Sequence, residues 1–232
     1  MNLALIFSGG VGKRMNSGDI PKQFLQIGGQ SILSLTVEKF QRHPQIDGIL
    51  IVCVETHTQQ FHAEVAKHGL SKVIDVISGG ASAQESILIG LRRLSRFSEQ
   101  NDTVLIHDGV RPIIDDDLIS RNIAAVDAHG SAVTIVSCNE TILYREDATS
   151  AQYKALDRMS CVIARAPQCY KIDDVLPAAE QAFSAGTEFV DTYSLMENFG
   201  VSAAPVECDQ SNIKITTHSD FLTAKILIED GA

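Results

Sequence analysis

Three cations gather in one short stretch near the start of the chain. "SGGVGKRMNSGDIPKQFL" (residues 8–25) holds Lys13, Arg14 and Lys22 among Gly9, Gly10 and Gly12, directly behind the apolar run "LALIF". Glycine tolerates positive φ, so such a loop can turn sharply and offer backbone N–H groups to a phosphate that approaches closely. The cations could then neutralise a polyphosphate. Neither familiar phosphate template fits. A Walker A loop needs Ser or Thr after its Gly-Lys, but Lys13 is followed by Arg14, and Phe7 stands where the first glycine belongs. A dinucleotide fingerprint begun at Gly10 would need its third glycine at Met15. An ordinary Gly-rich turn with solvated charges stays open on the glycines alone. Pro21, which restricts the backbone just ahead of Lys22, argues against it.

A second chemical feature is Asp108, which closes the apolar run "TVLIHD" (103–108). A carboxylate at a strand end can hold Mg²⁺ between phosphate oxygens. The chain's net charge of −10, from 19 Lys and Arg against 29 Asp and Glu, argues against a nucleic-acid-binding surface. Cations gathered in one place therefore point to a local anionic ligand.

These residues need elements to position them. "LALIF" (3–7), "GILIVCV" (48–54), "KVIDVI" (72–77) and "TVLIHD" are nearly continuous apolar runs, which suit strands buried on both faces. Between them, 31–43 and 81–97 carry helical apolar faces, the second opening with Ser82 and Glu85 in capping-box spacing. The alternation predicts an α/β fold with a doubly wound, mostly parallel, Rossmann-like sheet whose ligands bind beyond the carboxyl ends of the strands. Three loops start there: 8–25, 78–86 and 107–115. At 232 residues and 44% hydrophobic content, one compact domain spanning 1–232 is expected.

The pattern changes after about residue 136. Residues 137–168 alternate polar and β-prone positions around "REDATSAQ", predicting an extended arm at about 137–165 that needs a neighbour to lie against. Dimerisation through it is expected. Helices follow near 172–185 and from about 191, short strands at 203–207 and 213–216, and a closing helix from about 218. Five widely spaced cysteines without metal-ligand spacing read as reduced thiols in a cytoplasmic protein. No apolar stretch reaches the length of a membrane span, and no signal peptide is recognisable.

Taken in order, "SGGVGKRM" with "PKQFL", "GGASAQESILIGL" (79–91), "HDGVRP" (107–112), "LDR" (156–158), "APQ" (166–168), "VDTYSLME" (190–197) and "NIKITT" (212–217) resemble the cytidylyltransferases that activate polyol phosphates. That group contains the 2-C-methyl-D-erythritol 4-phosphate and ribitol-5-phosphate enzymes. The resemblance implies Mg²⁺-dependent transfer of CMP from CTP to a polyol phosphate, with release of pyrophosphate. It also implies a nucleotidyltransferase domain that works as a homodimer.

By the same resemblance, Ser8, Gly9, Gly10 and Gly12 wrap the triphosphate, while Arg14, Lys22 and Lys214 are the catalytic cations. Lys13 is expected to point to solvent. Gly79, Gly80 and Ser86 receive cytosine and ribose, joined by Asp108 and Gly109, with Asp108 also the metal ligand. Thr141, Arg158 and Asp191 serve the acceptor, the first two from the partner subunit.

Structural alternatives stand beside several of these. Ser86 can be a helix residue only, Asp191 a helix cap, Arg111 a loop-pinning ion pair and His107 a local hydrogen-bonding residue. The family's GGxxRxxS pattern has Arg where this chain has Ala83, which weakens transfer of the base contacts and leaves a non-catalytic nucleotide-binding module open. A sugar-1-phosphate nucleotidyltransferase shares the Gly-rich start, but "NIKITT" argues against it. Glu140, Ala166 and the "HDGVRP" loop depart from the erythritol-phosphate pattern, which has Asp-Thr, TPQ and HDAARP at these places. They favour ribitol 5-phosphate or a related wall or capsule polyol phosphate over the erythritol phosphate of isoprenoid precursor synthesis.

Overall fold

The computed structural model describes residues 1–8, 21–147, 149 and 151–231. Seven strands form the central sheet: β1 (Asn2–Ser8), β2 (Gly48–Cys53), β3 (Val73–Ser78), β4 (Thr103–Asp108), β5 (Ser131–Ser137), β6 (Val162–Lys171) and β7 (Ala204–Glu207). Their spatial order is β7-β5-β6-β4-β1-β2-β3. The pairings β4–β1, β1–β2, β2–β3 and β5–β7 are parallel, and only β6 runs against its neighbours β4 and β5.

Helices α1 (Ile32–Arg42), α2 (Thr58–His68), α3 (Ala83–Leu94), α4 (Asp116–His129), α5 (Ile172–Ser184), α6 (Thr192–Asn198) and α7 (His218–Glu229) surround it. Successive strand residues supply opposite faces, as the period of two requires. Ala4, Ile6, Ile49 and Ile51 pack with α1, α2 and α4, whereas Leu3, Leu5, Leu50 and Val52 pack with α3, α5 and α6. Burial of each such Ile, Leu or Val side chain stabilises the fold by roughly 1.5–3 kcal/mol before entropy is counted. A third cluster joins Ile27, Ile32, Val110 and Ile215 to Ala224 of α7, so the loop after β4 and the segment before α7 share a core.

The doubly wound sheet agrees with the sequence, as do α1, α3 and the helices from 172, 191 and 218. Two elements differ. Residues 213–216 form no strand: the segment turns irregularly at Ser211 and is fastened to Val110, whose carbonyl accepts from the Ile215 N–H at 2.9 Å. The arm is also shorter than 137–165, because β6 already begins at Val162, pairing with Ser137, and Ala166–Tyr170 are buried in the sheet. What remains is a two-rung hairpin, Leu143 opposite Ala155 and Tyr144 opposite Lys154, with Leu143, Tyr144, Tyr153, Leu156 and Met159 exposed.

Candidate active site

The carboxyl ends of β1 and β4 lie side by side, Phe7 in register with Asp108. Gly109 follows and donates its N–H to the Phe7 carbonyl at 2.9 Å. A Cβ there would stand 2.6 Å from Leu33 Cδ1 and 3.1 Å from Ser8 Cβ, so any larger residue would make Leu33 move for the strand ends to stay this close. Ser8 and Asp108 are both buried as a result.

Asp108 is the electrostatic centre. Its Oδ1 meets Lys214 Nζ at 2.6 Å and its Oδ2 meets Arg111 Nη2 at 3.2 Å. Burial alone would raise the carboxyl's pKa, but the cations of Arg111 and Lys214 outweigh it and hold Asp108 below the usual carboxylate value. Arg111 is itself pulled below its ordinary value, by burial first and by the like charge of Arg165, although Asp108 opposes both. A guanidinium keeps its proton regardless, so the pair is ionic.

Arg111 also donates from Nη1 to the Asn212 carbonyl at 2.7 Å, and Asn212 Nδ2 donates to the Ile113 carbonyl at 3.1 Å. These bonds place Lys214, two residues on, over Asp108. Lys22 sits in a short turn after Pro21, and its Nζ donates to the Ile215 carbonyl at 3.1 Å, so both lysines converge on one segment. His107 is fully buried, its Nε2 3.0 Å from the Arg111 carbonyl; burial pushes its pKa down to about 4, so the imidazole is neutral. It is the local hydrogen-bonding residue that the sequence suggested.

A cavity of about 270 Å³ opens beside this cluster, walled by Phe7, Ala83, Ile87, Phe189, Val190 and Leu195, with Asp108, Arg111, Arg165, Gln168, Asp191 and Lys214 among its polar groups. A smaller one of about 50 Å³ adjoins it between Ser8, Lys22, Gln23 and Lys214; Phe7, Ala83, Asp108 and Lys214 line both.

The loop after β3 enters from the side. Ser82 caps α3 by accepting from the Glu85 N–H at 3.1 Å, but the Glu85 carboxylate takes the Ala81 N–H at 2.7 Å, so the capping box is shifted by one residue. Ser86 Oγ accepts the Gly80 N–H at 3.1 Å and donates to the Ser82 carbonyl at 2.8 Å. A Cβ on Gly79 would lie 2.5 Å from that Oγ. Ser86 thus shapes the Gly79-Gly80 turn, and Ala83 lines the cavity wall.

The structure brings Ser8, Lys22, Asp108 and Lys214 together, with Gly109 as packing partner and the Gly79-Gly80 turn nearby. Gly9, Gly10, Gly12, Lys13 and Arg14 lie outside the described residues. Asp191 reaches the larger cavity, yet it caps α6 by accepting from Ser194 N–H at 2.9 Å, and it also accepts from Gln168 Nε2 at 2.9 Å. Thr141 and Arg158 sit on the exposed arm; Arg158 donates to the Asn139 carbonyl at 3.2 Å. Sequence reasoning assigned no role to Arg165, Gln168 or Asn212. Gln168 and Asn212 lie within quoted motifs, but a lone amide or arginine carries no periodic signal.

A carboxylate–lysine–arginine cluster at parallel strand ends, next to a Gly-rich connection, suits binding of phosphates. A sequence profile of the 2-C-methyl-D-erythritol 4-phosphate cytidylyltransferases (IspD) matches residues 3–230. The chain belongs to that cytidylyltransferase family. It is similar to a ribitol-5-phosphate cytidylyltransferase of Vibrio parahaemolyticus, with 41% identity over 99% of this chain and 96% of that one. A 2-C-methyl-D-erythritol 4-phosphate cytidylyltransferase of Geobacter metallireducens is 34% identical over 98% of this chain and 97% of its own. The 4-diphosphocytidyl-2C-methyl-D-erythritol synthase structure from Anaerococcus prevotii superposes with a TM-score of 0.84, covering 98% of this chain and 96% of that chain at 24% identity, and so shares the fold. At family level the activity is cytidylyl transfer from CTP to an acceptor of the polyol-phosphate kind. Among the described residues no helix is long and apolar enough to cross a membrane.

Proposed function

We propose that this chain, as one domain of a homodimer, transfers CMP from CTP to ribitol 5-phosphate. An oxygen of the acceptor phosphate attacks the α-phosphorus, the bond to the β-phosphate oxygen breaks, and pyrophosphate leaves. No protein nucleophile takes part. The observation that carries this reading is that Lys22, Lys214 and Asp108 line one small cavity, with Lys214 paired to Asp108, where cations can meet charge that develops on phosphorus oxygens.

Lys22 and Lys214, with Arg14 from the Gly-rich loop, are the proposed charge-stabilising residues. Gly9, Gly10 and Gly12 would wrap the triphosphate, with the Gly79-Gly80 turn beside cytosine. Thr141 and Arg158 would reach a partner's acceptor phosphate, and Arg158 offers a forked donor suited to it. The exposed apolar side chains of the arm support a second copy as the surface it lies against.

Among the described residues no group of three His, Cys, Asp or Glu side chains could hold a metal unaided. Asp108, a lone carboxylate, fits a Mg²⁺ that draws its other ligands from substrate phosphates and water. Bound there, the ion would neutralise phosphate charge.

Ribitol 5-phosphate is preferred over 2-C-methyl-D-erythritol 4-phosphate because the ribitol relative is the more similar, 41% against 34%. Glu140, Ala166 and the "HDGVRP" loop support the same choice. Pyrophosphate release should be measured with CTP and ribitol, methylerythritol and glycerol phosphates. Turnover is expected to be fastest with ribitol 5-phosphate; faster turnover of the erythritol phosphate reverses the acceptor, and silence with all three removes the activity.

A further inference from the structure

The large cavity carries more positive charge than its described carboxylates balance. Asp108 is shared by Arg111 and Lys214. Asp191, the other carboxylate on the wall, is taken up by the Ser194 N–H and hydroxyl and by Gln168. Arg165 therefore has no carboxylate partner among the described residues. Its Nη1 donates at 3.3 Å to the Asn212 carbonyl, which Arg111 already occupies at 2.7 Å. Its Nε is buried and makes no hydrogen bond. A guanidinium has five N–H donors in a fixed fork, and leaving one of them, here Nε–H, desolvated and unmatched is costly. The neighbouring guanidinium of Arg111 feels the same like charge.

The place of Arg165 on the chain adds to this. It lies on β6 where the pairing with β5 shifts between Ala164 and Gln168, so its side chain leaves the regular ladder and joins the cavity wall. Ala166 stands beside it, where the erythritol-phosphate pattern has threonine.

We propose that Arg165 is a phosphate-binding residue, its guanidinium taking a phosphoryl oxygen of a ligand held in this cavity. The assignment rests on the nucleotidyl-transfer reading for the ligand's origin, which is either the acceptor phosphate or the triphosphate of CTP. Unlike the arm residues, Arg165 acts in its own subunit.

Calorimetric titration of the wild type, Arg165→Gln and Arg165→Lys with inorganic phosphate and, separately, with pyrophosphate reads the contact without turnover. Arg165→Gln should weaken binding of at least one anion about tenfold, and Arg165→Lys should recover part of the loss. Affinities of Arg165→Gln within twofold of wild type for both anions overturn the assignment. A purely structural role would lower the melting temperature of both variants and leave anion affinity of the folded protein unchanged, which overturns it equally. These titrations need no acceptor, so failure of the acceptor panel and failure of this assignment are separate results. With turnover in hand, a rise in KM confined to the acceptor identifies its phosphate as the ligand, and a rise confined to CTP identifies the triphosphate.

Discussion

Asp108, Arg111 and Lys214 come from β4, the loop after it and the segment before α7, and each is bonded to another of these elements. The arm between β5 and β6 holds its residues by two hairpin rungs, an exposed Lys154–Glu146 pair and local turns. The strand-end cluster is organised before any ligand arrives, because burial forces its charges to find one another. The arm buries little apolar surface of its own, so its polar groups are held by few contacts. A polar group tied on several sides can be read as part of a site from one chain; a polar group on an exposed ribbon acquires its role from a neighbour.

The widest gap between the regions should appear on Asp108→Asn. Loss of the charge that Arg111 and Lys214 share is expected to cut turnover about 10²–10³-fold. It should also cost several kcal/mol of stability, because two cations lose their partner. Steady-state rates and denaturant melts check both, and wild-type behaviour in either would break the contrast.

Acid should single out the same cluster. His107 titrates near 4 in the fold against 6.5 as its ordinary value. The unfolded chain therefore binds a proton between those values that the native state does not, and stability falls as pH drops from about 6.5 to 4, by up to about 3 kcal/mol. Denaturant melts across that range should be flatter in His107→Gln. Asp108, held low, loses its contribution only below its ordinary value of 3.8, so the two effects separate.

A smaller loss, about 1–3 kcal/mol, is expected for Gly109→Ala, whose methyl would press on Leu33 and Ser8. In the arm, Lys154→Ala should shift stability by less than about 0.5 kcal/mol, since both partners of its ion pair are largely exposed. A large shift there would mean that the arm is held as firmly as the strand ends.

What could be read from the sequence follows the same division. Strands β1, β2 and β4 announce themselves as Ile, Leu and Val runs because both faces are buried; β3, expected to be the same, lies at the sheet edge, where only Val76 is buried and Ile74 is exposed. The sequence reading put the first part of β6 in the extended arm and not in the central sheet, and the proline in "RAPQCYK" argues against a central strand. Only the tertiary setting, with Ala166–Tyr170 between β4 and β5, makes it one. Helix α4 carried readable signals, Asp115 at its N-cap and Gly130 at its end, but gave no motif to look for. At the site, Asp108 and Lys22 were visible as charges beside apolar or proline-fixed positions. Asn212 was not, because its part is to give a backbone carbonyl to Arg111, and any residue type has one.

Strand β6 joins the two regions without a break. Within ten residues it passes from the foot of the arm through Arg165 and Gln168 to Lys171, whose backbone pairs with Thr103 at the start of β4. The exposed arm and one part of the cavity wall, Ala164, Arg165, Ala166 and Gln168, therefore lie on one contiguous stretch of chain. Grafting residues 138–168 between relatives would move the arm and these wall residues together, while the ends of β1 and β4 and the segment around Lys214 stayed as they are.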